Sequence, residues 1–233
     1  MDYELTLFDR IEVIKTIDKQ YDLEHNAYLS FSGGKDSTIL HYLLDMALPN
    51  NRIPRVFIDT GIEYLMIREF VMELAKNDDR FIIIKPTKPI KTTLEKYGYP
   101  FKSKQHSHNV SIYQHSGLSR AVRVYLGEDK TKTGKDSLMH CPKNLRYQFT
   151  EDFKLKCSEL CCKKMKKEPI HKWEKENNRP IAITGMRQEE GGARKYIDCI
   201  LTDNEGKLKK FHPLVKVNDE WENEFVERES FSL

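Results

Sequence analysis

Six consecutive residues, Ser32-Gly33-Gly34-Lys35-Asp36-Ser37, have the side chains that hold an anion. An apolar run at 27–31 precedes them and a helical stripe follows, so they lie where a strand gives way to a helix. There, unpaired backbone N–H groups and the positive end of the helix dipole favour negative charge. Gly33 and Gly34 permit positive φ and close backbone approach, and Lys35 adds a point charge. The hydroxyls of Ser32 and Ser37 can donate to phosphate oxygens, and Asp36 can orient a metal ion or cap the helix. This is not a Walker A loop, which needs Gly where Leu29 stands and Ser or Thr where Asp36 stands. The plainer alternative is a tight turn without a ligand.

A second set of chemistry-bearing residues is the five cysteines, Cys141, Cys157, Cys161, Cys162 and Cys199. Cys157 and Cys161, four apart, can share a helix face. With Cys141 and Cys162 they make a candidate four-thiolate set for a [4Fe-4S] cluster or for zinc; the alternative is buried free thiols. His106, His108 and His115 include a His-x-His pair, but they stand in a segment that reads as a polar loop, so solvated or anion-contacting histidines are expected.

The elements that must position these groups follow from periodicity. Leu7, Ile11, Ile14, Ile17 and Tyr21 form one helical stripe, residues 39–48 a second and 64–76 a third. Short apolar runs at 27–31, 55–58, 80–84 and 180–184 alternate with them, which indicates βαβ units. Residues 196–201 and 208–211, joined by Asp203-Asn-Glu-Gly206, read as a terminal hairpin. The expected fold is α/β, a mainly parallel sheet of about five strands flanked by helices. A single domain spans 1–233, with 86–179 as a helical and loop lid with a Cys-rich elaboration.

The chain has 233 residues, with 39 Lys or Arg against 36 acids, so no single-sign field governs the whole molecule. Charge is uneven, however. Residues 130–179 hold 14 basic residues and 7 acids. Solvated helix faces around an anionic ligand explain this without a partner; a nucleic-acid surface is the sharper alternative. No apolar run nears the roughly 18 residues of a membrane span, and the acidic start is unlike a signal peptide. An odd cysteine count argues against a disulfide framework, so a cytoplasmic protein with reduced thiols is expected.

Taken together, Ser32-Gly33-Gly34-Lys35-Asp36-Ser37 resembles the pyrophosphate loop of the PP-loop superfamily, the adenine nucleotide alpha hydrolase-like fold. Asp59-Thr60-Gly61, Gly185-Met-Arg187 with Glu189, Glu190 and Arg194, and His212-Pro213-Leu214 narrow the resemblance to the phosphoadenosine phosphosulfate (PAPS) reductase family. It implies that residues 32–37 hold the phosphate chain, with Asp59, Thr60 and Gly61 beside the adenosine. Gly185, Arg187, Arg194 and Lys104 would serve the phosphate or sulfate. Lys35, Asp36, Arg187, Cys161 and Cys162 become the candidate catalytic residues. In plainer terms, Asp59 caps a helix, Arg187 pairs with Glu189, and Glu190 with Arg194. Trp173 and Trp221 are expected to be packing residues.

The resemblance also has gaps. Cys161-Cys162-Lys-Lys resembles the first half of the iron–sulfur motif of adenylylsulfate reductases, whose Cys-x-x-Cys second half would fall past Leu233. The cysteine that attacks sulfur from a C-terminal tail in PAPS reductases has no counterpart after Cys199. The leading functional expectation is therefore ATP-dependent sulfur transfer. ATP, with Mg2+, is cleaved between its α and β phosphates to adenylylate an RNA or DNA acceptor. The alternatives are reduction of PAPS or adenylylsulfate with a thiol donor protein, and a non-catalytic nucleotide-binding subunit.

Overall fold

The computed structural model describes residues 2–229, which separate into two compact units. One unit combines the chain up to Lys85 with the chain from Ile170 onward; the other is Pro86–Pro169.

The first unit opens with α1 (Tyr3–Tyr21), started by Asp2, whose carboxylate accepts the Leu5 N–H at 2.9 Å. A single turn, α2 (Leu23–Asn26), leads into β1 (Ala27–Ser30). Then come α3 (Lys35–Ala47), β2 (Arg55–Ile58), α4 (Leu65–Asn77) and β3 (Phe81–Ile84). The second unit contains α5 (Ile90–Tyr97), α6 (Lys104–Ser116), α7 (Arg120–Leu126), the 3-10 segment Lys143–Phe149 and α8 (Leu160–Cys162). Lys163–Lys167 then forms a π turn. The chain re-enters the first unit within α9 (Glu168–Glu176) and continues through β4 (Ile181–Ile183), β5 (Ile200–Thr202), β6 (Leu208–Phe211) and α10 (Asp219–Glu229).

The sheet is α/β and mainly parallel, as expected, with six strands in the order β3-β2-β1-β4-β6-β5; β5 alone runs antiparallel to its neighbour β6. In β1, Leu29 lies opposite Arg55 on one side and Ile183 on the other. Strand order reverses between β1 and β4, and at such a switch point the loops leaving the two strands part and open a crevice. The core beneath it is apolar: Leu29, Phe31, Leu40, Leu44, Phe57, Ile183 and Phe211 are all buried. Trp221 belongs to that core, stacked on Tyr3 at 5.5 Å, and Trp173 meets Tyr28 edge-on at 5.3 Å.

The hairpin forms over a shorter span than its sequence indicates. Gly191 and Gly192 take positive φ, a 3-10 turn (Gly192–Tyr196) ends on Tyr196, and β5 starts only at Ile200. Residues 86–134, read as short helices and polar loops, hold α5, α6 and α7. His106 corrects the expectation of solvated histidines. It is fully buried in α6, with one ring nitrogen 3.0 Å from the Tyr125 hydroxyl and the other 2.7 Å from Gln148 Oε1. Both of its polar atoms are matched inside, which removes the cost of burial. Among the described residues no helix is long and apolar enough to cross a membrane.

Candidate functional site

The turn after β1 is tied by its own hydroxyls. Ser37 Oγ donates to the Gly34 carbonyl at 2.9 Å and lies 3.1 Å from Ser32 Oγ, while the Ser32 N–H donates to Ser37 Oγ at 3.2 Å. The Gly34 N–H donates to Ser32 Oγ at 3.3 Å. Gly33 has φ +75°, and a Cβ there would stand 2.7 Å from Ile67 and 2.8 Å from Val71, so α4 presses directly on the loop. Lys35, Asp36 and Ser37 are therefore the first turn of α3, and its N-cap, Gly34, supplies no side-chain acceptor. The first-turn N–H groups and the helix dipole point to one place.

β4 brings the second part. A Cβ on Gly185 would lie 3.0 Å from the carbonyl carbon and oxygen of Asp36, so the exit of β4 packs on the first turn of α3 without room for a methyl group. Two residues later stands Arg187, whose side chain is only 7% exposed. Its Nη2 lies 2.8 Å from Asp219 and 3.7 Å from Asp36, its Nη1 3.5 Å from Glu189, and its Nε 3.1 Å from Glu222. Lys35 Nζ lies 3.1 Å from the other Glu222 oxygen. Arg187 thus gathers four carboxylates rather than the surface pair with Glu189 alone.

Glu222 is fully buried, and its separations from Lys35 and Arg187 are those of ion pairs. The directions do not match, however: both Glu222 oxygens and Arg187 Nε lack an aligned hydrogen-bond partner among the described residues. Burial pushes the Glu222 carboxyl up to about 7, helped by the nearby Asp36 charge and opposed by Lys35 and Arg187. For Arg187, burial pulls downward, but Asp219, Glu222 and Asp36 together hold the guanidinium above its ordinary value. The result is two cations at a helix N-terminus, held together by an acid with unfilled hydrogen-bonding capacity.

Asp59 directly follows β2 and is buried, accepting from Arg68 Nε at 3.1 and 3.3 Å. Beside it, the Thr60 N–H and hydroxyl donate to Glu63 at 3.0 and 2.6 Å, and Gly61 turns with φ +80°. These contacts fix the mouth of β2 next to the loop after β1. Deeper in, Thr184 Oγ1 lies 2.7 Å from His212 Nδ1, and His212 Nε2 is buried without a partner. Arg194 is paired with Glu190, and Lys104 is an exposed residue at the start of α6 in the second unit.

Glu222, Asp219, Arg68 and Glu63 were not among the residues singled out from sequence. For Glu222 a signal existed: on α10 it stands three and four residues before Phe225 and Val226, on the apolar face. An acid on a buried stripe calls for a cationic partner.

The cysteines do not assemble. Cys141 and Cys157 are packing residues of the second unit's core beside Val110, Val122 and Phe149. Cys161 and Cys162 lie half-buried on α8, and Cys199 is in the first unit. Burial raises the thiols of Cys141, Cys157 and Cys199. Among the described residues no group of three or more His, Cys, Asp or Glu side chains is placed to hold a metal ion. A cluster or zinc on Cys141, Cys157, Cys161 and Cys162 does not fit this arrangement, because two of the four are spent on apolar packing.

Comparison with known proteins bears on this site. A curated relative, an uncharacterized protein of Methanocaldococcus jannaschii, is 34% identical over 103 residues; the match takes in 40% of this chain and 25% of that protein. The chain therefore spans about a quarter of that relative's length. A phosphoadenylyl-sulfate (PAPS) reductase from Candida auris superposes with a TM-score of 0.51 and 14% identity, covering 89% of this chain and 74% of that one. It shares the fold. An NH3-dependent NAD synthetase of Campylobacter jejuni overlaps less well, at a TM-score of 0.48, 12% identity, and 99% and 75% coverage. The family model for the phosphoadenosine phosphosulfate reductase domain matches residues 26–135 and 130–231, which takes in the loop after β1, the crevice and Arg187, and the chain belongs to that family.

Proposed function

We propose that the chain binds an adenine nucleotide across the β1/β4 crevice and cleaves ATP between its α and β phosphates. An acceptor oxygen attacks the α-phosphorus and pyrophosphate leaves. The outer sulfur of a donor persulfide then attacks the activated carbon, AMP leaves with the oxygen, and a second thiol of the donor cleaves the S–S bond, leaving the sulfur on the acceptor and a disulfide on the donor. The observation that carries this reading is the convergence of Lys35 and Arg187 at the first turn of α3, bridged by buried Glu222.

In this reading Lys35 and the N–H groups of residues 35–37 neutralise the leaving pyrophosphate, and Arg187 meets the α-phosphate as negative charge builds there. Asp59, Thr60 and Gly61 border the adenosine. Asp36, the carboxylate of the loop, would hold Mg2+ supplied with ATP, which would neutralise charge on the phosphates. None of these roles needs a thiol in the first unit.

A second reading, thiol-dependent reduction of PAPS or adenylylsulfate to sulfite, is favoured by the family match. Attack at sulfur needs a thiolate. Three of the five thiols are shifted away from that form by burial, which leaves Cys161 and Cys162 for the role.

Product analysis separates the two. Incubation with Mg-ATP, RNA or DNA acceptors and a persulfide donor should release AMP and pyrophosphate, and Lys35→Ala should stop it. Sulfite from PAPS under a thiol reductant, lost in the Cys161→Ser, Cys162→Ser variant, would replace the first reading with the second.

A further inference from the structure

The second unit has a charge that the whole-chain balance conceals. Pro86–Pro169 holds 18 Lys or Arg and 8 acids, a net +10. The rest of the chain holds 21 and 28, a net −7. Every one of the 18 is exposed except half-buried Lys164. Only Arg120 and Lys164 among them form an ion pair among the described residues. A solvated face needs no such segregation, because mixed signs serve solubility and avoid self-repulsion.

Within this unit lies a cavity of about 540 Å³, lined in part by Tyr113, His115, Phe153, Lys154 and Lys156, with Glu151 on its rim. Its rings are held in place. Tyr113 packs on Phe149 at 5.8 Å, and Phe153 meets Tyr147 edge-on at 5.7 Å. Gln114 ties α6 to the segment bearing the lysines: its Nε2 donates to the Leu155 carbonyl at 2.7 Å and its Oε1 accepts the Cys157 N–H at 3.1 Å. Lys156 donates to the Lys96 carbonyl at 2.6 Å, which fixes its charge beside the opening.

We propose that the second unit binds single-stranded nucleic acid, with one unpaired base entering this cavity and the flanking phosphates on Lys154 and Lys156. Positive charge alone attracts any polyanion. Rings beside lysines select a chain that alternates flat bases with phosphates. A duplex keeps its bases stacked on one another and does not offer an unpaired one to the cavity's rings. Glu151 gives the cavity an acceptor for an exocyclic amino group. The proposal goes beyond the adenylylation reading and does not rest on it, since the charge and the cavity belong to one unit and no nucleotide is needed for binding.

The test is fluorescence anisotropy on the full chain without ATP, using labelled oligo(dC) and oligo(C) of about 12 nucleotides, whose bases carry an exocyclic amino group, a length within the usual site range of such proteins. The same measurement is made with a mixed-sequence duplex and with poly-glutamate. Both single strands, or one of them, should bind with a steep salt dependence, about −0.7 in log K per log salt for each phosphate neutralised. Oligo(dC) and oligo(C) differ only in the 2′-hydroxyl, so the difference between them tells DNA from RNA. Lys154→Gln and Lys156→Gln should each flatten that slope by about 0.7. Tyr113→Ala should weaken binding about tenfold. His115→Ala, an exposed change that spares the core, is a second probe of the cavity, with circular dichroism confirming the fold of each variant. Equal binding of poly-glutamate, a preference for duplex, or an unchanged affinity and salt slope in the lysine variants would overturn the proposal. Binding that persists while no AMP or pyrophosphate ever forms would instead count against adenylylation alone.

Discussion

Arg187 Nε and a Glu222 carboxylate oxygen lie 3.1 Å apart, across the gap between the β4 exit and α10, and neither atom has an aligned hydrogen-bond partner. The same carboxylate reaches Lys35 at 3.1 Å. An acid thus stands against both cations that the loop and β4 present, where an anionic ligand would place its oxygens. Proton balance at Glu222 therefore couples to stability and to ligand binding.

Stability should report that coupling. The carboxyl titrates near 7 in the folded chain and about 4.3 when unfolded. Between those values the folded chain holds a proton that the unfolded chain has released. Stability is therefore fully present below the lower value and falls as pH rises through the higher one. The loss is up to about 4 kcal/mol. Denaturant unfolding of the wild type and Glu222→Gln at pH 5 and pH 8 should show the variant gaining on the wild type with rising pH. A pH-independent difference would remove the buried acid from this account.

Nucleotide affinity should move with the same proton. A charged Glu222 competes with phosphate for Lys35 and Arg187, so Mg-ATP binding should weaken as pH rises past about 7, and Glu222→Gln should weaken less. Calorimetry at pH 6 and pH 8 measures this. Parallel pH dependence in both proteins would mean that Glu222 does not face the ligand.

Lys35→Ala should weaken Mg-ATP binding by at least about tenfold, or 1.4 kcal/mol, with little change in unfolding midpoint because Lys35 is partly exposed. An unchanged dissociation constant would place the triphosphate elsewhere.

Gly185→Ala tests the close packing of β4 on α3. Its methyl group would stand 3.0 Å from the backbone of Asp36 and force the first turn of α3 aside. Overpacking of this kind costs about 1–3 kcal/mol, and nucleotide binding should fall with it. A variant with normal stability and normal binding would show that the contact relaxes without disturbing the loop.

A buried network at the start of β2 predicts acid sensitivity. Arg55 Nε donates to His41 Nδ1 at 3.1 Å, which fixes the ring as the neutral tautomer bearing its proton on Nε2. Burial, with the Arg55 charge, pushes His41 down to about 4. As pH falls from about 6.5, the unfolded chain takes up a proton that the fold refuses, so stability is lost progressively toward pH 4, by up to about 3 kcal/mol. Imidazole resonances of His41 that titrate near pH 6.5 in the folded protein would contradict this.

How much was readable in advance depends on whether the signal is local. The glycines of the loop after β1, the apolar runs at 27–31 and 55–58 and the stripes of α1 and α3 are consecutive or periodic. Short-range sterics and burial dictate them, so the sequence by itself determined an α/β chain with a glycine loop between β1 and α3. Arg187 was marked through the family resemblance of Gly185-Met-Arg187, and the structure places it beside the first turn of α3. What sequence could not supply were the partners brought in by packing. Glu222 reaches Lys35 from 187 residues away because Trp221 and Phe225 bury the face of α10 that it shares. His106 read as a solvent residue until Tyr125 and Gln148 were placed on its two nitrogens. Cys141 and Cys157 read as ligands beside Cys161 and Cys162 until the second unit's core enclosed them. Only the tertiary structure decided these cases, because burial and pairing depend on which distant side chains share a space, and chain spacing does not encode that.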